Sequence, residues 1–226
     1  MRRLDNSRSR VLRRAIHEQS LETLPSYARN ADVNCLGGVQ STLFMAEMAR
    51  FLVGFCVGRG LTCVNVLDVG PGTGHGSNFL GQILATDFFG VRGTVSVVDI
   101  NPDFLDYIAG FHPYVHEVLH GDCGELPEAS FDIVVCSHVI EHVENPVGFL
   151  DSLRKVSRHG VICCAPLREP PGDLSPGHLW SIDVPWLYLN GALQVEEVES
   201  LGWGFLTCPR QKMFLAVFPP GPVSQR

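Results

Sequence analysis

A glycine-rich turn follows one of the most regular apolar runs of the sequence. The run Val66–Val69 contains Asp68 and continues into residues 70–76, which read GPGTGHG. Glycine lets the backbone pass close beneath a ligand, and a helix predicted to follow offers unpaired N–H groups. The G-x-G-x-G spacing lacks the last glycine of a dinucleotide fingerprint, and no lysine completes a phosphate-binding loop. A carboxylate at Asp68 therefore favours a cationic ligand.

A second group of reactive side chains follows a later apolar run, residues 131–137. His138, Glu141 and His142 lie within five residues, and on a helix the two histidines would share a face. A histidine that titrates near neutrality can take a proton from a phenol, hydroxyl or amine. We interpret these three residues as candidate catalytic residues. The alternative is that the segment only lines a ligand pocket.

The elements that must position these residues alternate from residue 62 onward. Short β-branched runs predict five strands, and helix-length segments lie between them. The predicted strands are 63–69, 94–100, 115–120, 131–137 and 160–165, and the helices are 74–86, 102–110, 146–157 and 184–189. Two further strands, 193–200 and 212–218, are expected as an antiparallel pair at the sheet edge. The pattern predicts βαβ units and a mainly parallel sheet.

The first 60 residues differ from the rest in charge and pattern. The whole chain carries a formal charge of −7, yet residues 1–30 hold seven arginines against three acids. We expect a helical cap or arm over 1–60, with a loop over 30–38, and a core over 61–226. The acidity disfavours a general nucleic-acid surface. The apolar run Leu43–Gly58 is too short to span a bilayer and is predicted to be a core helix.

The motifs at the predicted strand ends resemble those of one enzyme family. Over residues 60–218 the chain resembles the class I S-adenosylmethionine-dependent methyltransferases, in the small-molecule group whose first strand ends D-V-G-x-G-x-G. The resemblance implies an α/β fold: a Rossmann-like, doubly wound, seven-stranded and mainly parallel sheet with an antiparallel closing strand and an N-terminal helical cap. It also implies S-adenosylmethionine as the cofactor.

The resemblance assigns the cofactor-binding residues. They are Asp68, Gly70, Pro71, Gly72, Gly74, Asp99, Ile100, Asp122, Cys123, Ser137 and His138. The turn would hold the methionine part, Asp99 the ribose hydroxyls, and Asp122 with Cys123 the adenine. A carboxylate suits a vicinal diol because it accepts two hydrogen bonds. Ser137 and His138 would form the pocket wall.

The acceptor side is expected to involve Tyr27, His178 and Trp180. Related ubiquinone-pathway O-methyltransferases and small-RNA 3′-end 2′-O-methyltransferases carry E-x-x-E-H after the fourth strand and bind a divalent metal. Here His138 replaces the first carboxylate, and His178 is a further candidate ligand. Such a donor set would suit a transition metal better than magnesium. Because the pattern departs from E-x-x-E-H, our prediction includes no metal.

The predicted function is methyl transfer to an oxygen or nitrogen of a small molecule. The alternatives are an RNA ribose 2′-O-methyltransferase and a non-catalytic interaction module with the same fold. A nicotinamide enzyme is disfavoured by the glycine spacing. The expected partner is the small-molecule acceptor, and a homodimer is the expected oligomer if the chain associates. Neither nucleic acid nor a membrane is an expected partner. Eight cysteines without a C-x-x-C pair and no apolar leader favour the cytoplasm.

Overall fold

A computed structural model describes residues 36–222, apart from residues 88, 171, 173, 176 and 201–210. Tyr27 and the arginine-rich segment lie outside the described residues. The first described element, α1, covers Leu36–Gly58. The predicted loop over 30–38 is therefore wrong for its last three residues, because the apolar helical segment already begins at Leu36. The division into a cap and a core stays a prediction.

Seven strands form one sheet in the order β3-β2-β1-β4-β5-β7-β6. Their bounds are β1 Cys63–Val69, β2 Arg92–Asp99, β3 Val115–His120, β4 Phe131–Ser137, β5 Ser157–Pro166, β6 Gln194–Ser200 and β7 Gln211–Phe218. Strands β1 to β5 are parallel, whereas β7 runs antiparallel to both β5 and β6. The order reverses at β1, so the carboxyl ends of β1 and β4 meet at a switch point where such sheets bind ligands. The predicted fold class is confirmed.

Among the described residues after β1, three of the four α-helices begin at the residue predicted from the sequence, and the first begins one residue later than predicted. They are α2 His75–Ala85, α3 Pro102–Phe111, α4 Pro146–Val156 and α5 Val184–Leu189. The Asn101 side chain accepts a hydrogen bond from the Asp103 N–H, and Asn145 accepts one from Gly148. A proline opens both helices, where its missing N–H costs no helical hydrogen bond.

The core lies on both faces of the sheet. Along β1, Leu67 and Val69 join the cluster beneath α4, whereas Val64 and Val66 join the cluster beneath α1 and α2. Successive side chains of a strand point to opposite faces, so a strand buried on both sides is apolar throughout. Asp68 is the buried acidic exception within β1.

Helix α1 contributes to the cluster that lies beneath α1 and α2. Its segment Ser41–Gly58 is long and apolar enough to cross a membrane by length and composition alone. However, Phe44, Met48 and Leu52 are buried against the sheet and α2. We therefore read α1 as a core helix, as the sequence predicts.

Candidate functional site

The turn after β1 is shaped by steric contact on one side and open space on the other. The Gly70 N–H donates to the Val98 carbonyl at 3.0 Å, and Gly70 has φ +69°. A Cβ added there would lie 2.4 Å from Val139 Cγ2. At Gly72, with φ +55°, an added Cβ would meet no described atom within 4 Å. The turn therefore needs glycine at both positions and leaves Gly72 facing open space.

Asp68 lies directly beneath this turn. Its side chain is 2% exposed, and the Ser77 hydroxyl of α2 donates to its Oδ2 at 2.6 Å. Burial raises the pKa of Asp68 to about 7, although the Ser77 hydrogen bond opposes that shift. Asp68 is therefore partly protonated near neutral pH, and a nearby positive charge would favour its ionised form.

Two adjoining cavities open at the carboxyl ends of the central strands. The larger has a volume of 490 Å³ and the smaller 220 Å³, and both are bordered by Gly70, Gly72, Phe104 and His138. The predicted cofactor residues that line one or both are Asp68, Gly70, Pro71, Gly72, Asp99, Ile100, Asp122, Cys123, Ser137 and His138. Gly74 lines neither cavity, because it precedes α2 and packs against α3. The structure thus brings ten of the eleven residues together.

The larger cavity has acidic groups at two strand ends. The Asn101 N–H donates to Asp99 Oδ1 at 2.8 Å, and burial raises the pKa of Asp99. Asp122 is exposed, and its Oδ1 accepts from the Gly124 N–H at 2.7 Å. Cys123 beside it is buried, which raises the pKa of its thiol to about 12. This thiol is therefore a neutral wall group and not a nucleophile.

His138 forms the partition between the two cavities. It has φ +55°, its ring stacks on Phe44 of α1 at 4.1 Å, and its Nδ1 lies 3.0 Å from Ser137 Oγ. Burial lowers the pKa of His138 to about 3, so the ring is neutral. His138 and His142 do not share a helical face, because only Ile140–His142 forms a short 3₁₀ helix.

Glu141 and His142 occupy that 3₁₀ helix but differ in exposure. Glu141 is 1% exposed, and neither carboxyl oxygen has a hydrogen-bond partner among the described residues. Burial raises the pKa of Glu141 to about 8. His142 is exposed and lines the larger cavity. The buried acid thus stands next to an accessible imidazole.

Two hydrogen bonds join the loop after β5 to the loop after β4. The Leu179 N–H donates to the Glu141 carbonyl at 2.8 Å, and Trp180 Nε1 donates to the Val143 carbonyl at 2.8 Å. The buried His178 side chain instead pairs with Glu169. Neither His178 nor Trp180 lines the two cavities, so their predicted contact with the acceptor stays a prediction.

Sequence reasoning did not identify several residues of this region, and Phe44, Phe104 and Glu169 are examples. Phe44 and Phe104 line the cavities, and Glu169 holds His178. The two phenylalanines have the helical spacing of ordinary core residues. Glu169 lies in a proline-rich loop without a motif, so the sequence contains no signal for its partner.

Comparisons with known proteins agree on the family. Residues 67–165 match the family model described as a methyltransferase domain. A probable S-adenosylmethionine-dependent methyltransferase from Mycolicibacterium smegmatis is 28% identical over 159 residues, which are 66% of this chain and 53% of that protein. The mitochondrial ubiquinone biosynthesis O-methyltransferase of Schizosaccharomyces pombe is 33% identical over 105 residues, which are 42% of this chain and 35% of that protein. The chain thus spans about half or less of these relatives.

Solved structures share the fold at low sequence identity. A S-adenosylmethionine-dependent methyltransferase from Aquifex aeolicus superimposes with a TM-score of 0.52 at 20% identity, covering 78% of this chain and 91% of that one. The [4+2]-cyclase SpnF superimposes with a TM-score of 0.57 at 14% identity, covering 78% and 81%. The ordered strand-end motifs, the sheet topology and the matched domain agree with one another. Together they support a class I S-adenosylmethionine-dependent methyltransferase whose matched domain covers residues 67–165, with S-adenosylmethionine as the cofactor.

Proposed function

We propose that this protein transfers the methyl group of S-adenosylmethionine to an oxygen or nitrogen of a small molecule. The observation that carries the proposal is the convergence of ten predicted cofactor residues on two adjoining cavities. The larger cavity, at 490 Å³, is of the size that binds small molecules, and the smaller one of 220 Å³ adjoins it. The Schizosaccharomyces pombe relative is an O-methyltransferase, which supports an oxygen acceptor.

The two cavities suit the two halves of the cofactor. The larger has the carboxylate of Asp99 for the ribose hydroxyls and the apolar wall of Cys123 for the adenine. The smaller lies over Asp68 and the open face of Gly72, where the cationic methionine part would fit. A positive charge there would favour the ionised form of Asp68. Gly74 would act by starting α2 rather than by touching the ligand.

The acceptor needs alignment more than chemical activation, because the sulfonium donor is already reactive. The acceptor atom attacks the methyl carbon, the carbon–sulfur bond breaks, and its electron pair stays on sulfur. Of the three candidate catalytic residues, His142 offers a lone pair. Its Nδ1 is 2.9 Å from the Gly177 carbonyl, which only accepts, so Nδ1 carries the proton and Nε2 is free. This nitrogen can take the acceptor proton or, as argued below, bind a cation.

His138 and Glu141 have different proposed parts. His138 is neutral and holds the wall between donor and acceptor, with its Nε2 buried and without a partner among the described atoms. Glu141 carries a proton near neutrality, so it acts as a base only after losing that proton. His178 and Trp180 would border the acceptor from the loop after β5.

We extend the proposal to the acceptor class, the cellular compartment and the oligomeric state. The acidic chain favours a small-molecule acceptor over RNA. The free cysteines of the described residues, among them buried Cys56, Cys136 and Cys163, favour the cytoplasm. A homodimer would be visible by sedimentation. The fold alone does not assign the reaction, since a cyclase shares it.

Binding titrations test the cofactor assignment first. The protein is titrated by calorimetry with S-adenosylmethionine, S-adenosylhomocysteine and NAD. We expect the first two to bind and NAD not to bind. Asp99→Ala should weaken binding by about 10-fold or more, since it removes hydrogen bonds to a charged group. Asp151→Ala, on the exposed face of α4, is the matched control and should bind like the wild type.

A screen for methylated products then tests the activity. Small molecules with hydroxyl and amine groups, and separately RNA, are incubated with the cofactor and analysed by mass spectrometry. Methylated small molecules support the proposal. Methylated RNA, together with RNA binding that weakens with salt, would instead support the RNA methyltransferase alternative. Cofactor binding without any product would favour the non-catalytic reading.

A further inference from the structure

The buried carboxyl group of Glu141 lacks the contacts that such a group requires. It is 1% exposed, and both of its oxygens are without a hydrogen-bond partner among the described residues. Burying a carboxyl group without partners is costly, so buried acids in proteins are paired, hydrogen-bonded or bound to a metal. The methyl transfer proposed above does not supply a hydrogen-bond partner for this carboxyl group. We therefore expect a ligand to contact this carboxyl group.

Two imidazoles converge on the same point. A ligand atom from each of Glu141, His142 and His178 lies within 4.8 Å of the other two. The two rings meet edge to face, with their centroids 4.7 Å apart. His138 does not belong to this group, although it is close in sequence. The set joins the loop after β4 to the loop after β5.

Both histidines are held by their other ring nitrogen. His142 Nδ1 donates to the Gly177 carbonyl, and His178 Nδ1 donates to the carboxylate of Glu169. Glu169 is fixed in turn by the Ser175 hydroxyl, which donates to its other oxygen at 2.6 Å. Metal-binding histidines usually donate their second N–H to a carboxylate or carbonyl in this way. The arrangement leaves a lone pair on each Nε2 and fixes both rings.

We propose that Glu141, His142 and His178 bind a divalent transition-metal ion. Two imidazole nitrogens and one carboxylate are a donor set for zinc, iron or cobalt, whereas magnesium prefers oxygen ligands. The proposal departs from the sequence prediction of no metal. The sequence compared His138 with the first carboxylate of a known pattern, but the tertiary structure groups the other three residues instead.

The ion would lie at the edge of the donor cavity, because His142 lines that cavity. Three protein ligands leave at least one coordination position for water or for another oxygen. An acceptor hydroxyl bound there would have a lowered pKa, which favours oxygen over nitrogen as the methylated atom. This last consequence rests on the proposed function, whereas the metal site itself does not.

Metal titrations of the full chain test the site without any methyl-transfer assay. The protein is stripped with a chelator, dialysed, and titrated with Zn²⁺ against a chromophoric chelator. Co²⁺ is added separately, because its visible absorption bands report the coordination geometry. We expect one ion per chain, four- or five-coordinate Co²⁺ bands, and no displacement by excess Mg²⁺. A chain that binds no Zn²⁺ or Co²⁺ above the level of the control variants overturns the proposal.

Single substitutions distinguish this site from adventitious binding. Glu141→Gln and His178→Ala each remove a ligand and should abolish the Co²⁺ bands. Glu169→Gln keeps all three ligands but loses the carboxylate behind His178, and should weaken Zn²⁺ binding by roughly 10- to 100-fold. His116→Ala, at an exposed histidine of β3, is the matched control and should change nothing. Equal affinities in all four variants would refute the assignment.

Two further readouts separate folding and function from metal binding. Circular dichroism of each stripped variant shows whether it is folded, and Glu141→Gln preserves the shape of the side chain. Bound Zn²⁺ should raise the melting temperature of the wild type but not of Glu141→Gln. Calorimetry with S-adenosylhomocysteine is run on the stripped protein as well. Its failure would count against the proposed function, and failure of the Zn²⁺ titration against the metal site alone.

Discussion

Replacing Gly70 by alanine tests whether the turn after β1 is shaped by Val139. The new Cβ would lie 2.4 Å from Val139 Cγ2, and β-branched valine has few alternative rotamers. Gly72→Ala is the matched control, because Gly72 also has a positive φ but faces open space. Both variants share the cost of a left-handed alanine, so their difference isolates the steric contact.

The magnitudes follow from these two contributions. An alanine in the left-handed conformation destabilises the folded state by about 1–2 kcal/mol. The lower conformational entropy of the unfolded chain offsets about 0.4–1 kcal/mol of that loss. The close contact in Gly70→Ala adds about 1–3 kcal/mol of overpacking. We therefore expect Gly70→Ala to be less stable than Gly72→Ala by about 2 kcal/mol. In a chain of this size that difference lowers the melting temperature by about 4–8 °C.

The assay is urea unfolding of both variants without cofactor, followed by fluorescence. The double variant Gly70→Ala/Val139→Ala should recover part of the loss, since the Val139 Cβ would remain 3.5 Å away. Gly72→Ala should instead impair S-adenosylhomocysteine binding, because its methyl group enters the open space. Equal free energies of unfolding for Gly70→Ala and Gly72→Ala, or no coupling with Val139→Ala, would refute the reasoning.

Three further predictions concern single contacts. The folded-state pKa of Asp68, about 7, is above its unfolded value, so its contribution to stability is complete below pH 4 and is lost as the pH rises through 7. Urea unfolding from pH 4 to 8 should therefore show a shallower decline for Asp68→Asn than for the wild type, and parallel curves would contradict this. Asn145→Ala removes the cap on the Gly148 N–H and should cost about 0.5–2 kcal/mol by the same assay, and an unchanged midpoint would exclude that contribution. Trp180→Phe loses the hydrogen bond to Val143 and should speed proteolysis between β5 and α5, and an unchanged cleavage rate would show that this bond does not hold the loop.

The sequence predicts the fold well because its pattern is local. Apolar runs such as Cys63–Val69 and Phe131–Ser137 appear in the structure with the predicted bounds. The Asn-Pro pairs at Asn101 and Asn145 begin helices where expected, since a cap and its partners lie within three residues. By contrast, α1 begins earlier than predicted, because its first residues carry no cap or proline that marks a boundary.

The grouping of the predicted cofactor residues was also largely predictable from their order along the chain. Asp99 ends β2 and Asp122 follows β3, and the carboxyl ends of parallel strands meet at one edge of the sheet. Asp99 and Asp122 therefore come together without further information. The sequence also shows that Asp68 lies within a buried strand. It does not reveal the Ser77 hydroxyl that holds its carboxyl group.

Only the tertiary structure decides which residues meet across separate loops. Phe44 stacks on His138 because α1 packs against the carboxyl edge of the sheet, although 94 residues separate the two. Glu169 holds His178, which brings that ring to Glu141 and His142. These contacts depend on backbone paths that no local pattern encodes. The sequence by itself thus determined the resemblance to the methyltransferases and the residues of the candidate donor cavity, whereas packing between loops determined the candidate metal site beside it.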